Sequence, residues 1–255
     1  MQTAASEADV EGFERLDKWR MCERDVGAFF VCRENLTRAE NTGFPSALEV
    51  GKSKGLSPHE VAALMGWSTG DFRFVNPIAR GLEEVVFEDY PLGAKASCRL
   101  VRADVMPYVG IISSALRALP PVPAGHRLWR GHRSPVLSDA GAILTFGGFT
   151  STTYDRDEAL RFATQLGAAG SSPRRALLAI EEHASGRSVA SFSARRGELE
   201  VLFPLDRRFQ VLPPPPEEQA EADARAVREA LEQLRQHMPE AEIDLVYLRE
   251  LGDEA

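Results

Sequence analysis

Two glutamates, Glu198 and Glu200, stand one residue apart and lead into Val201-Leu202-Phe203-Pro204. In an extended strand, residues i and i+2 point to the same face. The spacing therefore predicts two carboxylates side by side next to an apolar strand. Glycosyl transfer uses such a pair: one carboxylate stabilises an oxocarbenium-like sugar while the other assists the nucleophile. Like charges held close also push their pKa values apart, which separates the two roles. Two ordinary glutamates on a solvated strand edge share this spacing, so the pair alone decides nothing.

Arg130 lies in Leu128-Trp129-Arg130-Gly131. An arginine at the end of an apolar strand carries a planar donor fork that suits a bidentate grip on phosphate. Gly131 lets a ligand come close to the backbone. A structural salt bridge at a strand end would use the same residues. About twenty residues further on, Phe149-Thr150-Ser151-Thr152-Thr153 sets successive hydroxyls on a strand, where they can orient a carboxylate or bind ribose. Threonine also favours strands through its shape, and Thr153 suits the cap of a helix that begins near Asp155.

Other chemistries lack their residues. His59-Glu60 begins like a zinc-protease helix, but Ala63 stands where the second histidine must fall. There is no GxGxxG, no phosphate-binding P-loop and no GxSxG elbow. His126, His132, His183 and His237 are isolated, and no metal is expected. The three cysteines, Cys22, Cys32 and Cys98, are odd in number and form no CxxC, which fits a reducing compartment better than a disulfide framework or a zinc site. A net charge of -8 argues against a general nucleic-acid binder. No run approaches the eighteen apolar residues of a membrane span. Met1 to Glu7 carries no secretory signal, so the expected location is cytoplasmic, or outside the cell by a leaderless route. A monomer is the default expectation.

Helical periodicity predicts a helix over 8–38, with Phe13, Leu16, Trp19, Val26 and Phe30 on its stripe. Ser57-Pro58-His59-Glu60 reads as a capping box opening another. A helix is expected through Phe72, Val75, Ala79, Leu82 and Val86, and one more from Val101 to Leu119 before Pro120-Pro121. The second half predicts strands at 128–131, 143–153, 177–180, 189–192, 199–204, 209–212 and 243–248. A helix over 155–166 carries Ala159, Phe162, Ala163 and Leu166 on one face. Pro213 to Pro216 form a rigid spacer before an amphipathic helix with Ala220, Ala224, Val227, Leu231, Leu234 and Met238 on its stripe.

Arginine, then aromatic-x-Ser-Thr-Thr, then Glu-x-Glu-Val-Leu, in that order, resembles the R-S-E signature of the clostridial-toxin-like ADP-ribosyltransferases, in the form associated with arginine as acceptor. The resemblance covers 55–212 and resumes near Val246-Tyr247-Leu248-Arg249-Glu250. It departs at Thr153, where the second serine is usual, and at the 213–238 insertion. The first fifty residues have no recognised counterpart. It implies an α+β protein: a split β-sandwich ADP-ribosyltransferase fold with a mainly helical N-terminal half. The domains would be an N-terminal helical extension over 1–54 and a catalytic domain over 55–255.

The same resemblance implies NAD as co-substrate, an acceptor protein with an exposed arginine, and no metal, nucleic acid or membrane partner. Arg130 would hold the diphosphate, the Gly131 backbone would meet the nicotinamide amide, and Ser151 and Thr152 would serve the cofactor side. Ser151 would orient Glu200, which would bind the nicotinamide-ribose 2′-hydroxyl and stabilise the oxocarbenium ion. Glu198 would engage the acceptor guanidinium. Phe162 falls where the family places an aromatic against nicotinamide, although its spacing also suits helix core. Phe192 is assigned to the acceptor side. Water as acceptor (an NAD glycohydrolase) and a non-catalytic interaction module are the alternatives.

Overall fold

The computed structural model describes residues 6–11, 47–68, 72–87, 98–136, 139–165, 172–193 and 199–252. Contacts divide the chain into two compact units. One comprises Met1–Pro120, Gly147–Phe149 and Arg187–Glu198; the other comprises Pro121–Phe146, Thr150–Gly186 and Leu199–Ala255.

The first unit is mainly helical. It holds α1 (Ala47–Ser53), α2 (Pro58–Gly66), α3 (Phe72–Ala79), a hairpin of β1 (Glu84–Phe87) and β2 (Cys98–Val101), and α4 (Arg102–Ala118). The expected capping box opens α2: Ser57 Oγ accepts from the Glu60 amide, and the Glu60 carboxylate accepts from the Ser57 amide at 2.8 Å. Trp67, Phe74, Ile78, Tyr108 and Ile112 form the interior, and the Tyr108 hydroxyl donates to Ala63 O at 2.9 Å. Residues 7–11 are helical; the rest of the helix expected over 8–38 lies outside the described residues. The helix expected to reach Val86 ends at Ala79. Pro77, Gly81 and the β-branched pair Val85-Val86 favour the hairpin instead, in which Val85 pairs with Leu100.

The second unit is built on a mixed sheet. Its strands are β3 (Leu128–His132), β4 (Ile143–Phe146), β5 (Thr150–Thr153), β6 (Arg174–Glu182), β8 (Glu200–Phe203), β9 (Arg207–Leu212) and β10 (Glu242–Glu250); β7 is the two-residue strand Arg187–Ser188 of the helical unit. The seven run in the order β4-β9-β10-β6-β3-β5-β8. Only β10 and β6 are parallel; the other pairs are antiparallel. Leu128, Leu144, Leu178, Ile180, Val201, Phe203, Phe209 and Val246 form a core on one face. Phe203 of β8 and Phe209 of β9 meet at 5.4 Å although their strands lie near opposite ends of that order, so the sheet curls over this core as a sandwich does. The turn between them places Asp206 at φ 59°, a left-handed position that aspartate tolerates. On the other face, Trp129, Leu177, Ala179 and Tyr247 pack under α5 (Arg156–Thr164) and α6 (Glu217–Arg235). The insertion after the proline spacer thus covers its own sheet, with Val227 and Leu234 buried.

The strand expected over 143–153 is two strands. Gly147, Gly148 and Phe149 leave the sheet, and Phe149 stacks edge-on against Trp67 at 5.5 Å. A Cβ on Gly148 would stand 2.4 Å from Asn76 Oδ1, and the same amide donates from Nδ2 to Phe149 O at 3.0 Å. Glycine therefore permits the crossing. The strand expected over 189–192 is instead β7 followed by a 3-10 turn at Ala190–Phe192. No helix among the described residues is long and apolar enough to cross a membrane.

Candidate active site

Three strands bring the sequence-predicted residues together. In the β5–β8 register Thr153 lies opposite Glu200 and Ser151 opposite Leu202. Residues 151, 153, 200 and 202 therefore share one face, and the Ser151 hydroxyl donates diagonally to Glu200 Oε1. Glu200 is only 9% exposed. Next to β5, Arg130 on β3 extends its guanidinium over the Phe146 ring, 5.7 Å from the centroid, and donates from Nη1 to Ser151 O at 2.6 Å. Ser151 is thus held at two atoms, its hydroxyl to the carboxylate and its carbonyl to the arginine.

The other hydroxyls of the run hold backbone. Thr152 is buried, and its Oγ1 donates to Val201 O at 2.9 Å, tying β5 to β8. Thr153 Oγ1 accepts from the Asp155 amide at 3.1 Å. Asp155, rather than Thr153, caps α5, its carboxylate accepting from the Asp157 and Glu158 amides.

Gly131 has a packing reason as well as the ligand reason read from sequence. A Cβ there would stand 2.0 Å from Ala159 O and 2.6 Å from Ala163 N, so only glycine lets α5 lie this close to β3. On α5 the buried residues are Ala159, Leu160 and Ala163. Phe162 is 39% exposed, with the Arg133 guanidinium 5.2 Å from its ring. It is not the core residue its spacing allowed. Phe192 is the reverse: it is 1% exposed, inside the helical unit, and its ring is core rather than a surface for an acceptor. Glu198, Arg195 and Arg196 lie outside the described residues. Among the described residues no group of His, Cys, Asp or Glu could hold a metal.

A second polar cluster was missed in the sequence. Arg127 bonds Asp223 Oδ2 at 2.6 Å and Glu181 Oε1 at 2.6 Å. Arg156 reaches Asp223 Oδ1 at 3.3 Å, and the Tyr247 hydroxyl donates to Oδ2 at 3.3 Å. Trp129 lies under the guanidinium of Arg127 at 5.0 Å and that of Arg156 at 5.9 Å. Burial, with Asp223 beside it, pushes the Tyr247 phenol up to about 12. A carboxylate at position 223, on the buried side of the predicted helix stripe, was the available signal. Arg175 was missed too. It is fully buried, donating from Nη1 to Ala163 O at 2.5 Å and Gln165 O at 2.8 Å at the C-terminal end of α5. Burial, and then Arg133, lower its pKa.

No family profile matches the chain by sequence, and no curated protein does. Solved structures do match. The Vis toxin of Vibrio splendidus, an ADP-ribosyltransferase, superposes with a TM-score of 0.54 at 17% identity, over 100% of this chain and 90% of its own. Vis has also been crystallised with agmatine. The ADP-ribosyltransferase HopU1 of Pseudomonas syringae gives a TM-score of 0.58 at 15% identity, over 98% of this chain and 100% of its own. The type III effector XopAI of Xanthomonas axonopodis gives 0.55 at 14%, over 98% and 85%. At this identity the likeness is one of fold. The chain has the α+β fold of the ADP-ribosyltransferases.

Proposed function

We propose that this protein transfers ADP-ribose from NAD to arginine side chains of an acceptor protein and releases nicotinamide. The observation that carries the reading is the Ser151–Glu200 hydrogen bond with Arg130 at the carbonyl of the same serine. It gathers all three expected residue types, drawn from three strands, at one place in a fold shared with ADP-ribosyltransferases.

The chemistry assigns each group a task. Arg130 supplies a fixed cation for the diphosphate. Ser151 fixes the Glu200 carboxylate before substrate arrives, which is preorganisation. Glu200 then takes the nicotinamide-ribose 2′-hydroxyl and stabilises positive charge at C1′ as the C1′–N bond breaks. The electron pair leaves with nicotinamide. A guanidinium nitrogen forms the new bond to C1′ and must lose a proton. Because free arginine has a pKa above 12, that proton needs a nearby acceptor, the role given to Glu198. Arginine as acceptor is supported by the Glu-x-Glu spacing and by the agmatine complex of the Vis toxin.

Labelled NAD and agmatine test the reading. The wild type should form labelled product, and Glu200→Gln should lower the rate by at least about a thousandfold. Glu198→Gln should abolish transfer to agmatine while sparing release of nicotinamide to water. Wild-type rates no higher than those of Glu200→Gln would refute transfer, and equal loss of both reactions in Glu198→Gln would refute arginine as the assisted acceptor.

A further inference from the structure

A shallow cavity of about 490 Å³, wide open to solvent, lies within the sheet unit. It is lined by Trp129, Tyr154, Asp155, Arg156, Asp157 and Leu199. Neither Ser151 nor Glu200 lines it, so it lies beside the reacting centre rather than at it. Two wall residues are chain neighbours of residues in that centre. Leu199 precedes Glu200 in the chain, and Tyr154 follows Thr153, the register partner of Glu200.

The walls select charge. Arg156 is drawn toward the buried Asp223, 3.3 Å from its Nη1. The carboxylate of Asp155 is engaged by two amides of its own helix. Asp157 is different. Its side chain is 84% exposed, and its nearest cation, Arg156 Nε, is 3.7 Å away, beyond hydrogen-bond reach. The cavity therefore presents one available carboxylate beside the Tyr154 ring and the half-exposed Leu199 side chain. A mixed wall, with Tyr154 and Leu199 beside one exposed carboxylate, fits a long cationic side chain, whose stem lies on the apolar part while its head meets the charge. A planar guanidinium stacks on aromatic rings better than an ammonium does.

We infer that this cavity is an accessory acceptor subsite that takes a second basic side chain, preferentially arginine, lying one to three residues from the arginine that is modified. The inference rests on the proposed transfer to arginine. At about 3.3–3.6 Å of extended chain per residue, such a neighbour lies up to about 10 Å from the modified arginine.

Two acceptor peptides test it, each with one target arginine. One carries a second arginine two residues away, and the other carries alanine there. Agmatine is run alongside. The wild type should prefer the doubly basic peptide about threefold in kcat/KM, mostly through KM. Asp157→Lys should bring that preference to unity or reverse it, and Asp157→Glu should retain it. A wild type that modifies agmatine and both peptides equally overturns the subsite and leaves the transfer reading standing. So does an Asp157→Lys protein that keeps the preference. A preference for the second arginine that disappears in Asp157→Lys only as fast as agmatine turnover also overturns it, by placing Asp157 at the reacting guanidinium. A wild type that modifies none of the three removes the transfer reading and the subsite with it.

Discussion

Arg127, just before β3, and Arg130, within it, are three residues apart, yet they belong to different kinds of cluster. Arg127 joins Glu181, Asp223 and Arg156 in a set where carboxylate meets guanidinium at 2.6 to 3.3 Å. Arg130 donates to a backbone carbonyl, and the Glu200 carboxylate accepts from the neutral hydroxyl of Ser151. In the first cluster each charge is matched by an opposite charge, so removing one leaves its partners buried and uncompensated. In the second, a carboxylate and a guanidinium are positioned through the two ends of a single serine. The Ser151 hydroxyl is a neutral donor that fixes the direction of the Glu200 carboxylate. One cluster holds α6 to the sheet, and the other ties residues of β3, β5 and β8 to one another.

Substitutions in the two clusters should separate activity from stability. Glu200→Gln keeps the shape and the serine contact, so its cost of roughly 4 kcal/mol or more, the thousandfold loss, should fall on transfer. Its melting temperature should stay within about 2 °C of wild type. Asp223→Ala should do the opposite, lowering unfolding free energy in urea by about 3 kcal/mol, with residual transfer activity by the folded fraction. A large stability loss in Glu200→Gln, or none in Asp223→Ala, would undo the division between the clusters.

The two clusters were not equally legible in the sequence. Arg130, Ser151 and Glu200 could be assembled because their types, order and flanking apolar text fit a single chemistry. The Arg127–Asp223 contact joins residues 96 positions apart, and neither residue type is unusual on a surface. Helical spacing did place Val227 and Leu234 on the buried stripe of α6, which makes Asp223 on that side visible in hindsight. Local pattern failed where tertiary demand overrode it. Helical spacing ran on through Leu82 and Val86, but the chain turns at Gly81 into a hairpin. Strand character ran through 143–153, but Gly148 lets the chain pass Asn76 and bury Phe149 elsewhere. Phe162 is exposed and Phe192 buried for a related reason, since periodicity cannot say which side of an element another element covers.

Gly131 tests how closely the two clusters are tied through α5. That helix touches β3 at Gly131 and carries Arg156 at its first turn. Gly131→Ala inserts a methyl 2.0 Å from a backbone oxygen, which cannot rotate away as a side chain could. The helix must shift, at a cost of about 2 kcal/mol. The shift should also lower transfer activity, and Ala163→Gly should not restore it, because the closest atom belongs to Ala159. Wild-type stability in Gly131→Ala would show that the helix sits on β3 loosely.

Tyr247 gives the smallest effect and the sharpest sign. Its phenol is held neutral, with its pKa raised from 10.0 to about 12 by burial and then by Asp223. A group whose folded pKa is raised stabilises the fold fully below its unfolded pKa and loses that contribution as pH rises toward the folded value. The window is therefore pH 10 to 12, and by pH 11 the loss comes to about 1.4 kcal/mol. Tyr247→Phe has no proton to lose. It should be less stable than wild type by about 1 kcal/mol at pH 7, where the hydroxyl donates to Asp223. The difference should then close or reverse by pH 11. Urea unfolding of both proteins at pH 7, 9, 10 and 11 measures it. A difference that stays constant across that range would mean that the phenol ionises as easily in the folded protein as in the unfolded chain. The ionic cluster would then not be closed to water at Tyr247.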